Sequence, residues 1–335
     1  MSKGIPLASG PENMATTTAE AGTKTPHRAL LWRQFATPFH FTIALVIAVL
    51  VPLSMILAAA LQLRGLAQVI DLTWPGCSVL LACAIYCRWR PLPRLIETCD
   101  LALISLVFFV IFADLTLLAA RSHYGLVDAQ LSAIDAAFHF KTGYFVESIS
   151  RFPLAAGFLQ IIYKLCIPMM VFAVVIPPFF GHAGASRKCI LAIVFAAIAT
   201  ATIFWFLPAA GPWTVQGFRP SNEQAAISSY LSRLKVNAPF TTDCRTIGII
   251  SFPSFHVVLA IVSAAAIGSI RALRIAAWTL AALVCTSTIT TGWHYGVDVL
   301  GGFILAWAAM VLARRIDREP TADNEVSAFR PRRPA

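Results

Sequence analysis

The chain of 335 residues is 58% hydrophobic and 13% charged, with a formal net charge of +10 at pH 7. This composition lies far from the mixture typical of soluble domains and predicts a membrane protein. The basic excess by itself would suit a nucleic-acid-binding protein, but the basic residues cluster beside apolar segments, which excludes that class.

Apolar stretches long enough to cross a bilayer recur along the chain. They predict an all-α, polytopic helical membrane protein with about eight transmembrane helices. In chain order they are about 41–62, 70–88, 100–120, 158–180, 189–208, 254–270, 275–292 and 295–313. The second stretch is interrupted by Trp74-Pro75-Gly76 and is the weakest of the eight.

The same pattern divides the chain into four parts. These are a disordered cytoplasmic tail (1–38), two N-terminal transmembrane helices (39–99), a six-helix membrane core (100–313) and a basic cytoplasmic tail (314–335). The tails carry small residues, prolines and scattered charges, a composition that cannot bury a core. Within the core, segment 127–150 mixes apolar and charged residues and predicts an amphipathic helix on the outer leaflet.

Basic residues occur at alternate ends of the predicted spans. With eight spans, all clusters fall on one side, which the positive-inside rule makes cytoplasmic. The clusters are Lys24 to Arg33, Arg88 to Arg94, Arg187-Lys188, Arg271 to Arg274, and Arg314 to Arg318. We therefore expect both termini in the cytoplasm and loop 209–252 outside, as in a bacterial inner-membrane protein with a periplasmic active site.

Two polar motifs lie where apolar stretches meet water, and both fall on the outer side in this topology. The later one is His294-Tyr295-Gly296-Val297-Asp298. His294 and Asp298 are four residues apart, so on a helix they share a face and the carboxylate can hold one ring nitrogen. An Asp inside an apolar span is costly without a partner, which favours a functional role.

The earlier motif is Ser251-Phe252-Pro253-Ser254-Phe255-His256. A proline in the first turn of a helix leaves Ser254 and His256 beside free backbone N–H groups, which attract anions. Two histidines, one of them oriented by an acid, at an anion-binding helix start predict phosphoryl transfer through a histidine.

These motifs resemble those of the type 2 phosphatidic acid phosphatase superfamily (lipid phosphate phosphatases), whose members carry Pro-Ser-Gly-His and, later, His-x-x-x-Asp. Phe255 stands where most members have Gly, and Ser287-Thr288 stands where the phosphatases have Ser-Arg. The second departure, together with His294-Tyr295, resembles the branch that contains the inositol phosphorylceramide synthases. The resemblance covers roughly residues 100–313.

The chemistry and the resemblance together imply roles for the motif residues. His294 is the expected nucleophile, held by Asp298, which would also stabilise the cation that forms. His256 is the expected general acid, which gives a proton to the leaving alcohol. Ser254 can donate to a phosphate oxygen, or else cap the helix.

A bound phosphate also needs cations, and the superfamily's first motif, a Lys and an Arg-Pro, is not recognisable here. The outward-facing candidates are Arg233, Lys164, Arg219 and Arg245, of which Arg233 has a spacing that resembles an arginine of the synthase branch. Lys164 would lie inside a span, where Asp114 is the alternative partner.

The sequence thus predicts an integral membrane phosphotransferase that acts on lipid phosphate or phospho-headgroup substrates through a phosphohistidine. The first alternative is a lipid phosphate phosphatase of the phosphatidic acid or polyprenyl phosphate type. A transporter or scaffold is more remote, because transporters place polar residues near the midplane. The expected partners are a phospholipid or lipid phosphate and a polyol or lipid alcohol acceptor. No metal, other cofactor or nucleic acid is expected.

Overall fold

The computed structural model describes residues 37–60, 65–90, 92–236 and 249–318, in which only helices, turns and loops occur. The predicted all-α class is confirmed. The helices are α1 Pro38–Ala60, α2 Gly65–Trp89, α3 Pro93–Ala120, α4 Asp128–Ala137, α5 Thr142–Ser150, α6 Pro153–Lys164, α7 Cys166–Phe179, α8 Ala183–Phe206, α9 Asn222–Lys235, α10 Phe255–Ile267, α11 Arg274–Thr290 and α12 Gly296–Ile316. Arg245 and the tails predicted at 1–38 and 314–335, apart from Thr37, Pro38 and 314–318, lie outside the described residues.

Six segments of this part of the chain are long and apolar enough to cross a membrane, which supports the membrane prediction. They are Pro38–Leu57, Pro93–Ala120, Pro153–Phe179, Ala183–Phe206, Arg271–Thr290 and Gly296–Ile316. The remaining two predicted spans are also helical. α2 continues through Pro75 instead of breaking there, and α10 has 13 residues, a length of about 20 Å that is shorter than the hydrocarbon core.

α6 and α7 form one membrane crossing with a break at Leu165. Pro168 explains the break, because it has no N–H with which to bond the carbonyl of Lys164 four residues earlier. At this break, Cys166 Sγ lies 3.5 Å from the carbonyl oxygen of His256. An irregularity dictated by one proline therefore lies beside a motif residue.

α10 is the central helix and packs against α7, α8, α11 and α12. Nearly all its residues are buried, among them Ala260 and Ala264 at 0% exposure. Lipid tails are as apolar as these side chains, so close packing of small residues holds such helices together. α3 packs against α7 and α8, and α2 covers α3 from outside.

Charged residues gather at one end of the bundle. Arg187, at the start of α8, bonds Glu97 of α3 at 2.6 Å and Asp317, just after α12, at 3.2 Å. Arg88 at the end of α2 bonds both carboxylate oxygens of Asp100. The second, third and fifth basic clusters therefore occupy the same end, opposite the starts of α10 and α12, where the two motifs lie.

Gly302 lets α12 approach the first turn of α10. A Cβ at this position would lie 2.6 Å from the carbonyl oxygen of Ser254 and 2.9 Å from Cβ of Val257. Real Cβ atoms do not come so close to backbone, so only glycine permits this packing. Because Gly302 lies one turn after Asp298, its close approach sets the distance between the two motifs.

We expect Gly302→Leu to destabilise the protein by about 1–3 kcal/mol, the usual cost of overpacking a tight contact, and to reduce activity with it. The matched control is Gly157→Ala in α6, where a new Cβ would meet no atom within 4 Å. Thermal unfolding in detergent measures both variants. Equal melting temperatures for Gly302→Leu and the unmodified protein would contradict the packing argument.

Candidate active site

His294 lies in the turn between α11 and α12 and is 2% exposed. The backbone N–H groups of Trp293 and His294 both donate to the carbonyl oxygen of Thr288, at 3.1 and 3.2 Å. Gly292 allows the chain to turn here, because its φ of 77° is favourable for glycine and strained for other residues. The end of α11 thus fixes the backbone of His294 before any side-chain contact forms.

The protonation pattern of the His294 ring follows from its partners. Nδ1 lies 2.9 Å from the carbonyl oxygen of Ser251 and 3.3 Å from Oδ2 of Asp298. A carbonyl oxygen can only accept, so Nδ1 carries the hydrogen and donates it. In the neutral ring Nε2 then keeps its lone pair, and it makes no hydrogen bond with a described residue.

Asp298 is fully buried and joins the two motifs. Its Oδ2 also accepts from the backbone N–H of Tyr295 at 2.9 Å and from the hydroxyl of Ser251 at 3.1 Å. Its backbone carbonyl accepts from the N–H of Ser254 at 3.0 Å. The predicted pairing of His294 with Asp298 is present, although the Ser251 carbonyl is the closer acceptor.

Two carboxylates of α4 support the start of α12. Asp135 accepts from the N–H groups of Gly296 and Val297 at 2.7 and 2.8 Å, which satisfies two donors that a helix N-terminus leaves free. Asp128 accepts from the hydroxyl of Tyr295 at 3.0 Å. Burial, with Asp128 alongside, raises the pKa of the Tyr295 phenol, so this hydroxyl keeps the hydrogen that it donates.

Asp128 also holds the turn that follows α8. Its two carboxylate oxygens accept from the backbone N–H groups of Ala210 and Gly211 at 2.9 and 2.8 Å. Gly211 has a φ of 141°, which suits glycine. The turn that follows α8 is therefore connected to the site through one carboxylate.

His256 and Ser254 lie at the start of α10, as predicted. The His256 ring stacks on Tyr163 with centroids 4.4 Å apart, and its Nδ1 lies 3.4 Å from the Tyr163 hydroxyl. The rings of His256 and His294 have centroids 5.8 Å apart. Ser254 is fully buried, and its hydroxyl has no hydrogen-bond partner among the described residues.

An unpartnered buried hydroxyl costs roughly 1–3 kcal/mol. A phosphate oxygen at the start of α10 would satisfy the Ser254 hydroxyl and the free N–H groups of the first helical turn. The helix-cap alternative for Ser254 is not realised, because its side chain accepts no hydrogen bond from the helix.

Of the predicted cations, Lys164 lines a cavity together with Tyr163 and Trp293. Lys164 ends α6 and bonds Glu223 at 3.2 Å, with both side chains largely exposed, so Glu223 and not Asp114 is its partner. Arg219, just before α9, and Arg233, within α9, are both exposed. Within the described part of the chain, the hydrogen bonds and ion pairs of His256, His294 and Asp298 include no lysine or arginine.

Thr288, which stands where the phosphatases have Arg, is fully buried. Its hydroxyl donates back to the carbonyl oxygen of Cys285 at 2.7 Å. Its own carbonyl oxygen holds the turn that carries His294. This position therefore contributes to the backbone of the site and offers no donor to a phosphate.

Sequence reasoning missed Asp128, Asp135, Ser251 and Tyr163 as parts of the site. Asp128 and Asp135 are 4% and 3% exposed, although both come from the segment predicted to lie on the leaflet surface. The available signal was their spacing of seven residues, which places both acids on one face of a helix. Tyr163 gave no signal, because its contact with His256 depends on the break at Leu165.

A family model described as the PAP2 superfamily matches residues 129–312, which is more than half of the chain and includes both motifs. The chain belongs to this superfamily, as the resemblance to the type 2 phosphatidic acid phosphatases implied. Membership indicates phosphatase or phosphotransferase activity on lipid-like substrates. Comparisons with curated proteins and with solved structures give no match.

Burial lowers the pKa of His294 to about 4, against a smaller opposing effect of the Ser251 carbonyl. About nine-tenths of a histidine with such a pKa is neutral at pH 5, compared with roughly 3% of an ordinary one. We therefore expect the His294 signal to stay neutral down to about pH 5 in NMR titrations of histidine-labelled protein, with His294→Gln for assignment.

The lowered pKa of His294 also makes the stability of the protein depend on pH. Between about pH 6.5 and pH 4 the unfolded chain binds the proton more strongly, so this site lowers the free energy of unfolding as the pH falls. His294→Gln should weaken that dependence. Titration of His294 near pH 6.5 would contradict the prediction that burial lowers its pKa.

Proposed function

We propose that the protein is an integral membrane phosphotransferase that moves a phosphate-containing headgroup from a lipid donor to an alcohol acceptor. The reaction passes through a phosphohistidine at His294. The observation that carries this proposal is the pair of histidine rings 5.8 Å apart, of which one has its Nδ1–H bonded to acceptors and its Nε2 lone pair available. A neutral, oriented imidazole is a competent nucleophile.

In the first step, the Nε2 lone pair of His294 forms a bond to phosphorus while the bond from phosphorus to the lipid alcohol oxygen breaks. The electron pair of that bond goes to the leaving oxygen, which takes a proton from His256. Asp298 and the Ser251 carbonyl stabilise the positive charge that develops on the His294 ring. Ser254 and the start of α10 bind the non-reacting phosphate oxygens.

In the second step, the acceptor hydroxyl attacks phosphorus and loses its proton to His256. The bond between nitrogen and phosphorus breaks, and its electrons return to Nε2 of His294. Neither step uses a metal ion. Water in place of the alcohol gives hydrolysis, so the outcome depends on whether the site holds an acceptor.

The charge of the site favours a phosphodiester donor over a phosphomonoester. A monoester carries close to two negative charges and is usually clamped by arginine, which binds it bidentately. The direct polar partners of the two histidines and Asp298 contain no cation in the described part of the chain, and Thr288 replaces an arginine. These features support a phosphodiester donor, which bears less charge than a monoester, and with it the synthase-like branch.

A cavity lined mainly by polar residues, here called the polar cavity, adjoins Tyr163, the residue that stacks on His256, and supports a water-soluble acceptor. It has a volume of about 230 Å³ and is lined by Tyr163, Trp293, Asn222, Lys164 and Glu223, among others. The Trp293 ring lies parallel to that of Tyr163 at 5.7 Å, and Tyr163 stacks in turn on His256. Amide and charged groups next to an indole ring suit the hydroxyl groups and apolar faces of a polyol.

The proposal includes the orientation of the protein in the membrane. The positive-inside rule places the charged end of the bundle in the cytoplasm and the histidines on the outer side, as in a bacterial inner membrane with a periplasmic site. The polar groups gather at one end of the helices, which disfavours a transporter, since transporters bind their substrates near the midplane.

We expect His294→Ala to abolish turnover, and Asp298→Asn to lower kcat by about a thousandfold because the imidazolium loses its anion. His256→Ala should retain most activity with donors whose leaving groups need no proton, such as nitrophenyl esters. His182→Ala, at the opposite end of the bundle, is the matched control. Turnover by His294→Ala at the unmodified rate would reject the phosphohistidine scheme.

The acceptor assay decides between transfer and hydrolysis. Purified protein in vesicles receives a phospholipid labelled in its headgroup phosphate, with and without inositol, glycerol or ceramide. We expect an acceptor to become labelled and hydrolysis to be slower, because the polar cavity holds the acceptor at Tyr163, which stacks on His256. Release of inorganic phosphate from phosphatidic acid, unaffected by any acceptor, would establish the phosphatase alternative instead.

A further inference from the structure

An apolar cavity of about 330 Å³ lies directly below His256, between α3, α7, α8 and the first turns of α10. We call it the chain pocket. Its volume falls within the range of small-molecule binding sites in proteins. Nothing in the chemistry of the two histidines requires such a space, so it calls for its own explanation.

The lining of the chain pocket offers almost no hydrogen bonds. Phenylalanine, isoleucine, valine, leucine and methionine make up most of it. The polar exceptions besides His256 are Ser105 and Thr116, whose hydroxyls donate to carbonyl oxygens of their own helix, Leu101 at 2.8 Å and Ala113 at 2.7 Å. A water molecule needs several polar partners, so this space suits a hydrocarbon.

The direction of the chain pocket matches the direction of a lipid. Along α3 it extends from Thr116 to Ser105, a distance of about 16 Å at the rise of an α-helix. This is roughly half the thickness of the hydrocarbon core of a bilayer. One end lies at His256, near the end of the bundle that holds the motifs, and the other end lies near the middle of the 28-residue helix α3.

Phe255 forms the wall of the chain pocket next to the site. Its ring lies 4.6 Å from that of Phe112, and both residues line the pocket. The residue that replaces the usual glycine of the motif therefore faces this apolar space. On another wall Ile167 is 44% exposed, so α7 also presents this region to the surrounding lipid.

We propose that the chain pocket binds one hydrocarbon chain of the lipid whose phosphate reacts at His294. The inference rests on the proposed function, since it places the reacting phosphorus between the two histidines. The chain runs from His256 towards the midplane, and the Phe255–Phe112 pair contacts its first carbons. The pocket then determines which chain lengths the enzyme accepts.

The test fills the deep end of the chain pocket. Ser105→Trp should lower kcat/KM at least about tenfold for donors with chains of sixteen carbons, because a filled pocket cannot accept the same chain without strain. Donors with the same headgroup and six-carbon chains should react at the unmodified rate. Ile304→Trp, on the exposed face of α12 (60% exposed), is the matched control. An unchanged chain-length profile in Ser105→Trp would overturn the proposal.

A second measurement does not depend on turnover or on the stability of a variant. The unmodified protein is illuminated with a phospholipid that carries a diazirine at the end of one chain, and the labelled peptides are identified by mass spectrometry. We expect label on residues 105–112 of α3 that is displaced by excess unlabelled phospholipid. Label confined to exposed positions such as Val171 and Ile304 would overturn the proposal even if the phosphotransfer chemistry is correct.

Discussion

Asp298 accepts hydrogen bonds from groups that belong to two different segments of the chain, and the rest of the site depends on these contacts. Its carboxylate holds the ring of His294, the N–H of Tyr295 and the hydroxyl of Ser251, and its backbone carbonyl holds Ser254. A carboxylate buried among apolar helices is costly unless such donors surround it. The hydrogen bonds that offset the cost of burying Asp298 therefore also hold its donors in place.

The approach of α12 to α10 is what allows one carboxylate to reach both motifs. Gly302 removes the side chain that would separate these helices, and the carboxylates of α4 hold the first turn of α12 from the other side. His294, which we propose as the nucleophile, thus lies in the same packed region as His256 and the buried Ser254 hydroxyl. Preorganisation of this kind is the usual way in which an enzyme stabilises a transition state.

The site also lies between two different surroundings. His256 lines an apolar space between membrane helices, and it stacks on Tyr163, which lines a polar cavity together with other residues of α6 and α9. A lipid has the same division, because its headgroup is hydrated and its chains are not. Tyr163, which stacks on His256 and lines the polar cavity, stands at this boundary because α6 ends at the Leu165 break.

Much of the architecture could be predicted from the sequence alone. The thickness of a bilayer requires long apolar segments, and the residues of the two polar motifs have fixed spacings along the chain. The helical class, six of the eight predicted spans and the motif positions of Ser254, His256, His294 and Asp298 were available in that way. The seven-residue spacing of Asp128 and Asp135 also hinted at a common face.

Only the tertiary structure determined the contacts between residues that lie far apart in the sequence. The Ser251 carbonyl is the closest partner of His294, Glu223 is the partner of Lys164, and Thr288 supports a turn in place of binding phosphate. Tyr163 and the chain pocket arise from helices far apart in the chain. Such contacts depend on how helices pack and where they break, and periodicity within one helix carries no information about the neighbour it will meet.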